Sequence, residues 1–113
     1  ADRSIALIDT ALRLRLVYEA KYPNADLVVD AEVKAIFTTL NEKILQEKQS
    51  PDYLIGQAFF INKTLTDLPQ LFNQQLIPLL LEYFPNRRET VLTILQDMGL
   101  PVEEVNYQIH YKN

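Results

Sequence analysis

The sequence predicts a mainly α protein, a small bundle of about four helices with minor, short β-strands. Three observations predict it. Apolar residues recur at three- and four-residue steps in several separate stretches, as on a helix with one buried face. Proline, glycine and capping residues stand between those stretches, where helices start and stop. Only the tail, from Val105 to Tyr111, alternates apolar and polar residues as a strand does.

The bulk composition fits this class. A chain of 113 residues is one domain by default, with material for one modest core. Hydrophobic residues make up 48%, too many for a disordered chain. The longest apolar runs, such as Leu79-Leu80-Leu81, are far too short to span a bilayer, so no membrane partner is expected. Neither a signal-peptide pattern nor an initiator Met opens the chain, and it reads as cut from something larger. Cysteine is absent, which excludes disulfides and thiolate metal sites and is compatible with a cytoplasmic location. A net charge of −4 argues against gripping DNA by bulk electrostatics.

Residues 3–14 read as a helix, with Ile5, Ile8, Leu12 and Leu16 along one face and Asp2 or Ser4 as its cap. Arg13 and Arg15 fall in its last turn, where cations suit the helix dipole. Residues 16–20 are short and β-prone and read as a strand. Tyr22-Pro23-Asn24-Ala25-Asp26 is a linker with turn chemistry, and 22–30 is the natural hinge.

A long helix begins near Asp30 and stops before Pro51, with Val33, Ile36, Phe37, Leu40, Ile44 and Leu45 as its apolar stripe. Residues 53–62 are apolar around a central Gly56 and form either a strand or an extended loop pressed onto the bundle. Thr66 or Asp67 caps a third helix, whose apolar face runs from Leu68 to Phe84, with a kink or break expected at Pro78. Asn86-Arg87-Arg88-Glu89 looks like a capping box for a fourth helix, which buries Val91, Leu92, Ile94, Leu95 and Met98. Gly99 ends it and Pro101 prevents continuation. The tail 105–111 suggests an edge strand, paired with 16–20 or with 53–61.

Little in the residues alone points to chemistry. His110 is the only histidine and has no partner for a zinc site. Ser4, Ser50 and the threonines lack a base for covalent catalysis. Glu103 and Glu104, read as adjacent helical residues, would point apart as a solvated end. Arg87-Arg88 reads as a first-turn surface pair. No Gly-rich phosphate loop occurs.

Three motifs carry a resemblance. The opening Ala1-Asp2-Arg3-Ser4 through Ala11-Leu12-Arg13-Leu14-Arg15-Leu16 resembles the "NTADRSxxxxDxALRRRF" segment of McrB-type AAA+ GTPases, the motor subunits of restriction systems that attack modified DNA. Ile55-Gly56-Gln57-Ala58-Phe59-Phe60 looks like that family's "IGHSYF". Leu76-Ile77-Pro78-Leu79-Leu80-Leu81-Glu82-Tyr83-Phe84 is similar to its "IIPLLxEYF". The three run in family order and cover most of residues 1–98.

The resemblance implies that residues 1–22 are the last elements of an AAA+ core and 23–113 a helical lid. It implies a parent that binds GTP or ATP with Mg2+, assembles as a homo-oligomeric ring and drives a nuclease subunit, with DNA reached through that complex. The fragment alone would bind no cofactor and would not be a working enzyme. Arg13 and Arg15 become candidate arginine fingers acting on a neighbour's nucleotide, since the guanidinium fork binds phosphate oxygens at two points. Asp2, Gly56 and Gln57 become candidate nucleotide contacts, although a helix cap accounts for Asp2 without a nucleotide. The chain departs from the pattern at Leu14, Leu16, Gln57, Ala58 and Phe59. Those losses keep open a degenerate AAA+ scaffold without hydrolysis, and beside it a free-standing helical interaction module.

Overall fold

The computed structural model describes residues 24–113. It is mainly helical, with one two-stranded antiparallel sheet. The predicted helix 3–14 and strand 16–20 lie outside the described residues.

Helix α1, Ala31–Lys48, starts as the sequence requires: Asp30 accepts from the backbone N–H groups of Glu32 and Val33, each at 3.0 Å. It ends at Gln49, which takes a left-handed φ of 54°. Val33, Phe37, Leu40 and Ile44 are buried, and Ile36 pads the core from its rim. Asn41 lies in the same stripe and is the one buried polar residue of the described chain. Ahead of the helix a short turn, Ala25–Leu27, is capped by Asn24, and Val28 is buried behind it. The described part of the 22–30 segment is therefore anchored to the bundle, with Lys34 Nζ 2.9 Å from Asp26.

The stretch after α1 is the extended loop, not the strand. Tight 3-10 turns, Pro51–Tyr53, Gln57–Phe59 and Leu65–Asp67, interrupt it. No described strand pairs with it; at Ile55 the Asn41 side chain bonds the backbone instead: its Nδ2 donates to the Ile55 carbonyl at 2.9 Å, and the Ile55 N–H donates to its Oδ1 at 2.7 Å. This is one rung of a β-ladder made by a side chain.

The next rod consists of α2, Leu68–Leu71, a π-helical stretch, Phe72–Leu76, and α3, Ile77–Tyr83. The expected cap at Thr66 or Asp67 is not formed. Asp67 instead accepts from the backbone N–H of Thr64 at 2.8 Å and so closes the turn before the helix. The irregularity expected at Pro78 appears one turn earlier, and the rod does not break. A proline crowds the carbonyl four residues back and donates nothing to it. Widening the turn relieves both problems, and Ile77 N–H accordingly donates to Phe72 O, five residues back.

Helix α4, Arg88–Asp97, lacks the expected capping box at Asn86 and Glu89. Asn86 turns the chain with a φ of 60°, and Arg87 takes the cap position without a side-chain bond. Asparagine tolerates the left-handed region, and its use there removes it from the cap. Gly99, at φ 79°, ends the helix as expected, with Leu100 N–H reaching Leu95 O at 3.2 Å.

The tail is a hairpin of β1, Val102–Val105, and β2, Gln108–Tyr111, with Val102 opposite Tyr111 and Val105 opposite Gln108. The expected single strand 105–111 is thus interrupted by a turn, and its partner is 102–105, not 53–61; pairing with 16–20 lies outside the described residues. Asn106 and Tyr107 both have positive φ, 53° and 64°, the two-residue turn whose twist suits a hairpin. A tyrosine at the second position hides that turn from sequence reading.

A row of rings ties the elements together. Phe37 of α1 meets Phe60 of the loop at 5.0 Å, Phe60 meets Phe72 at 6.5 Å, and Phe72 stacks on Tyr111 at 5.2 Å. A second amide rung secures the hairpin: Asn73 donates to Tyr111 O at 2.9 Å and accepts from Tyr111 N–H at 2.8 Å.

Two outcomes follow. Asn41→Ala strands a buried N–H and a buried C=O of Ile55 and should cost about 2–4 kcal/mol in urea unfolding of the chain. Burial pushes the Tyr111 hydroxyl above the usual tyrosine value of 10.0. The folded state holds that proton more tightly than the unfolded chain, so this contribution to stability is complete below about pH 10 and is lost as pH rises further. Tyr111→Phe should flatten the alkaline limb of the stability curve.

Candidate functional site

The described residues carry one stretch whose geometry suits a binding role, Gly56–Phe59. Ile55 and Phe60, at its two ends, are 1% and 0% exposed. The first is held by the amide of Asn41 and the second by the rings of Phe37 and Phe72. Between these pins the chain must bulge outward. Phe59 N–H closes on Gly56 O at 3.3 Å and Phe60 N–H on Gln57 O at 2.8 Å. The turn therefore holds its shape through its own backbone.

Gly56 and Gln57 are brought together at the start of that turn, both partly exposed. Gly56 has φ −74° and ψ 154°, a conformation open to any residue, and a Cβ there would meet nothing within 4 Å. The fold of the bundle does not require glycine at this position. The Gln57 amide makes no hydrogen bond to a described residue and is available to a phosphate or a hydroxyl. Ala58 is exposed and Phe59 packs partly on the core. Beside the turn lies a shallow recess of about 310 Å³ lined by Ala58, Phe59, Lys63, Leu71 and Gln75. This surface can hydrogen-bond and offers one cation, but it holds no nucleophile–base pair.

Arg13, Arg15 and Asp2 lie outside the described residues. The other charged groups singled out by sequence are structural. Arg87 lies 3.4 Å from Glu47 and over the ring of Phe84. Arg88 pairs with Glu104 and covers the ring of Tyr107. Glu103 and Glu104 belong to a strand, not a helix end, and still face different partners: Glu103 approaches Lys112 at 4.0 Å. Among the described residues no group of acidic or histidine side chains could hold a metal, and no helix is long and apolar enough to cross a membrane. A polar cleft between α1 and α4, with Lys43, Glu47, Arg87, Glu89 and Asp97 in its walls, mixes both charge signs and makes no anion cradle.

Sequence reading missed Asn41 and Asn73, the two residues that hold the loop and the hairpin. A signal existed for the first. Asn41 lies four residues after Phe37 and three before Ile44, so the helical period places an amide on a buried face, where it needs partners.

The family described as McrB, alpha-helical lid domain, matches residues 32–92, more than half of the chain. The match begins in the first turn of α1, includes the Gly56–Phe59 turn and the whole 68–83 rod, and ends inside α4. No curated protein and no solved structure matches.

Gly56→Ala should leave thermal stability unchanged or raise it by up to about 1 kcal/mol, since the backbone already suits alanine and the unfolded chain loses freedom. Clear destabilisation in thermal melts would mean that the turn is under strain.

Proposed function

Because the chain belongs to the McrB alpha-helical lid family, we propose that it is the lid of a McrB-like AAA+ subunit that hydrolyses GTP or ATP and powers restriction of modified DNA. The observation that carries this reading is the extent of the match, which takes in both the helical frame and the exposed turn it presents.

In this account the lid's work is mechanical. The bundle, with residues 24–30 anchored to it, moves relative to the core while nucleotide is bound, hydrolysed and released. Gly56 lets the core or the nucleotide approach the lid backbone closely, and Gln57 donates a hydrogen bond to phosphate or ribose. Arg13 and Arg15 reach a neighbouring subunit's nucleotide, where a guanidinium neutralises charge that develops on the transferred phosphoryl group. Asp2, by the same resemblance, accepts from a guanine edge. Mg2+ bound with the nucleotide would supply further charge neutralisation. The parent assembles as a homo-oligomeric ring, works with a nuclease subunit and meets DNA through that complex. Soluble cytoplasmic operation fits such a machine.

One observation favours a second reading. At the turn, the family's polar His-Ser-Tyr gives way to Gln57, Ala58 and Phe59, and Leu14 replaces an arginine. A parent that keeps the frame and has lost these groups would be an assembly scaffold without turnover.

The two readings separate in the full-length protein. Arg13→Ala or Arg15→Ala should lower nucleotide turnover by about a thousandfold or more while leaving nucleotide binding intact. A subunit with a defective arginine should regain turnover when mixed with subunits that cannot bind nucleotide but keep theirs. Unchanged turnover in both arginine variants would remove the finger assignment, and absence of turnover in the unaltered protein would favour the scaffold.

A further inference from the structure

Lys48, the last residue of α1, is half-buried and holds its charge against rings. Among the described residues the ion pairs are Lys34–Asp26, Arg87–Glu47, Arg88–Glu104 and Lys112–Glu103, and none includes it. Its Nζ stands 4.7 Å from the centre of the Tyr53 ring and 4.5 Å from that of Phe84. Ring faces carry partial negative charge, so the two rings do for this ammonium what a carboxylate does for the others. Tyr53 in turn meets Tyr83 edge-on at 5.2 Å. One cation thus joins the end of α1, the Pro51–Tyr53 turn and the end of α3.

That junction sits where the chain doubles back. Ile55 is bonded to Asn41, which stands about 10 Å short of the end of α1 given the rise of a helix. Residues 49–54 must therefore reverse direction, and their own bonds are local. Gln49 N–H reaches Leu45 O at 2.7 Å, Asp52 N–H reaches Ser50 Oγ at 3.2 Å, and Leu54 N–H reaches Pro51 O at 3.2 Å. None of these three ties the returning limb to α3. Tyr53 and Leu54 pack on the core, but apolar packing is non-directional. The ammonium between Tyr53 and Phe84 supplies the direction.

We infer that Lys48 is a positioning residue for the Gly56–Phe59 surface. Held between Tyr53 and Phe84, it fastens the returning limb to the end of α3 and so fixes the line on which the loop enters Ile55 and the turn beyond. The fastening is electrostatic, and position 48 must supply charge as well as bulk. Its functional consequence rests on the reading of that turn as a nucleotide-binding surface; the fastening itself does not.

Lys48→Met keeps an unbranched apolar stem and removes the charge, whereas Lys48→Arg keeps the charge. Amide hydrogen exchange of the 113-residue chain separates the two roles. In Lys48→Met the amides of Leu54 and Ile55 should exchange at least about fivefold faster, while Leu92 and Leu95 of α4 keep their rates. Lys48→Arg should keep all four slow. Unchanged exchange at Leu54 and Ile55 in Lys48→Met overturns the inference, as does an arginine variant as fast as the methionine one. Equal acceleration in α4 overturns it too, because the loss is then one of overall stability. In the full-length protein Lys48→Met should also weaken nucleotide binding severalfold. Fast exchange with unchanged nucleotide affinity would leave the fastening standing, remove the turn from the nucleotide site and end the positioning role.

Discussion

The Asn41 amide is the constraint on which the rest of this structure depends. It lies on the buried face of α1, where an unpaired amide would cost several kcal/mol, and it has one outlet, the backbone of Ile55. Because donor and acceptor are satisfied together, the loop is fixed in register as well as in place. A hydrophobic contact alone would let Ile55 slide along the helix face. The two-point amide contact does not, and it sets where Gly56 and Gln57 emerge.

The same device recurs on the other side of the core. Asn73, within the widened π turn, gives its amide to Tyr111 and holds the hairpin against the rod. Between the two amides runs the row of Phe37, Phe60, Phe72 and Tyr111. Helix, loop, rod and hairpin each contribute one ring. Two short strands could not hold themselves in water, and a loop of tight turns has few bonds of its own. Rings supply the burial and amides the geometry. The result is a single packed frame, with the Gly56–Phe59 turn on its surface.

What the sequence made legible follows from the range of the interactions involved. The α1 start at Asp30, its stop before Pro51 and the helix end at Gly99 were readable, because caps and prolines act within a few residues. The apolar stripes were readable because helical period marks the buried face. Errors arose where one residue had two local uses. Asn86 could cap or turn, and it turns; Asp67 could cap the helix ahead or the turn behind, and it closes the turn. The hairpin was half legible: alternation was present, but the turn hid behind Tyr107. Both amide rungs link residues far apart in sequence, Asn41 to Ile55 and Asn73 to Tyr111, and no local pattern announces such pairs. The family-like motif singled out Gly56 and Gln57 but not the turn that they open. Its physical basis, two buried pins around an outward bulge, needed the fold.

Hydrogen exchange at single amides tests the central claim most directly. Ile55 N–H is bonded to a buried side chain and not to any helix or strand, so ordinary loop behaviour would leave it fast. If Asn41 fixes the loop, Ile55 should exchange as slowly as the amides of Leu40 and Ile44 in the centre of α1, while Gln57 and Ala58, a few residues on, exchange near the rate of free peptide. Exchange at Ile55 as fast as at Gln57 would contradict the account, because the turn would then belong to a mobile loop with no fixed place on the lid.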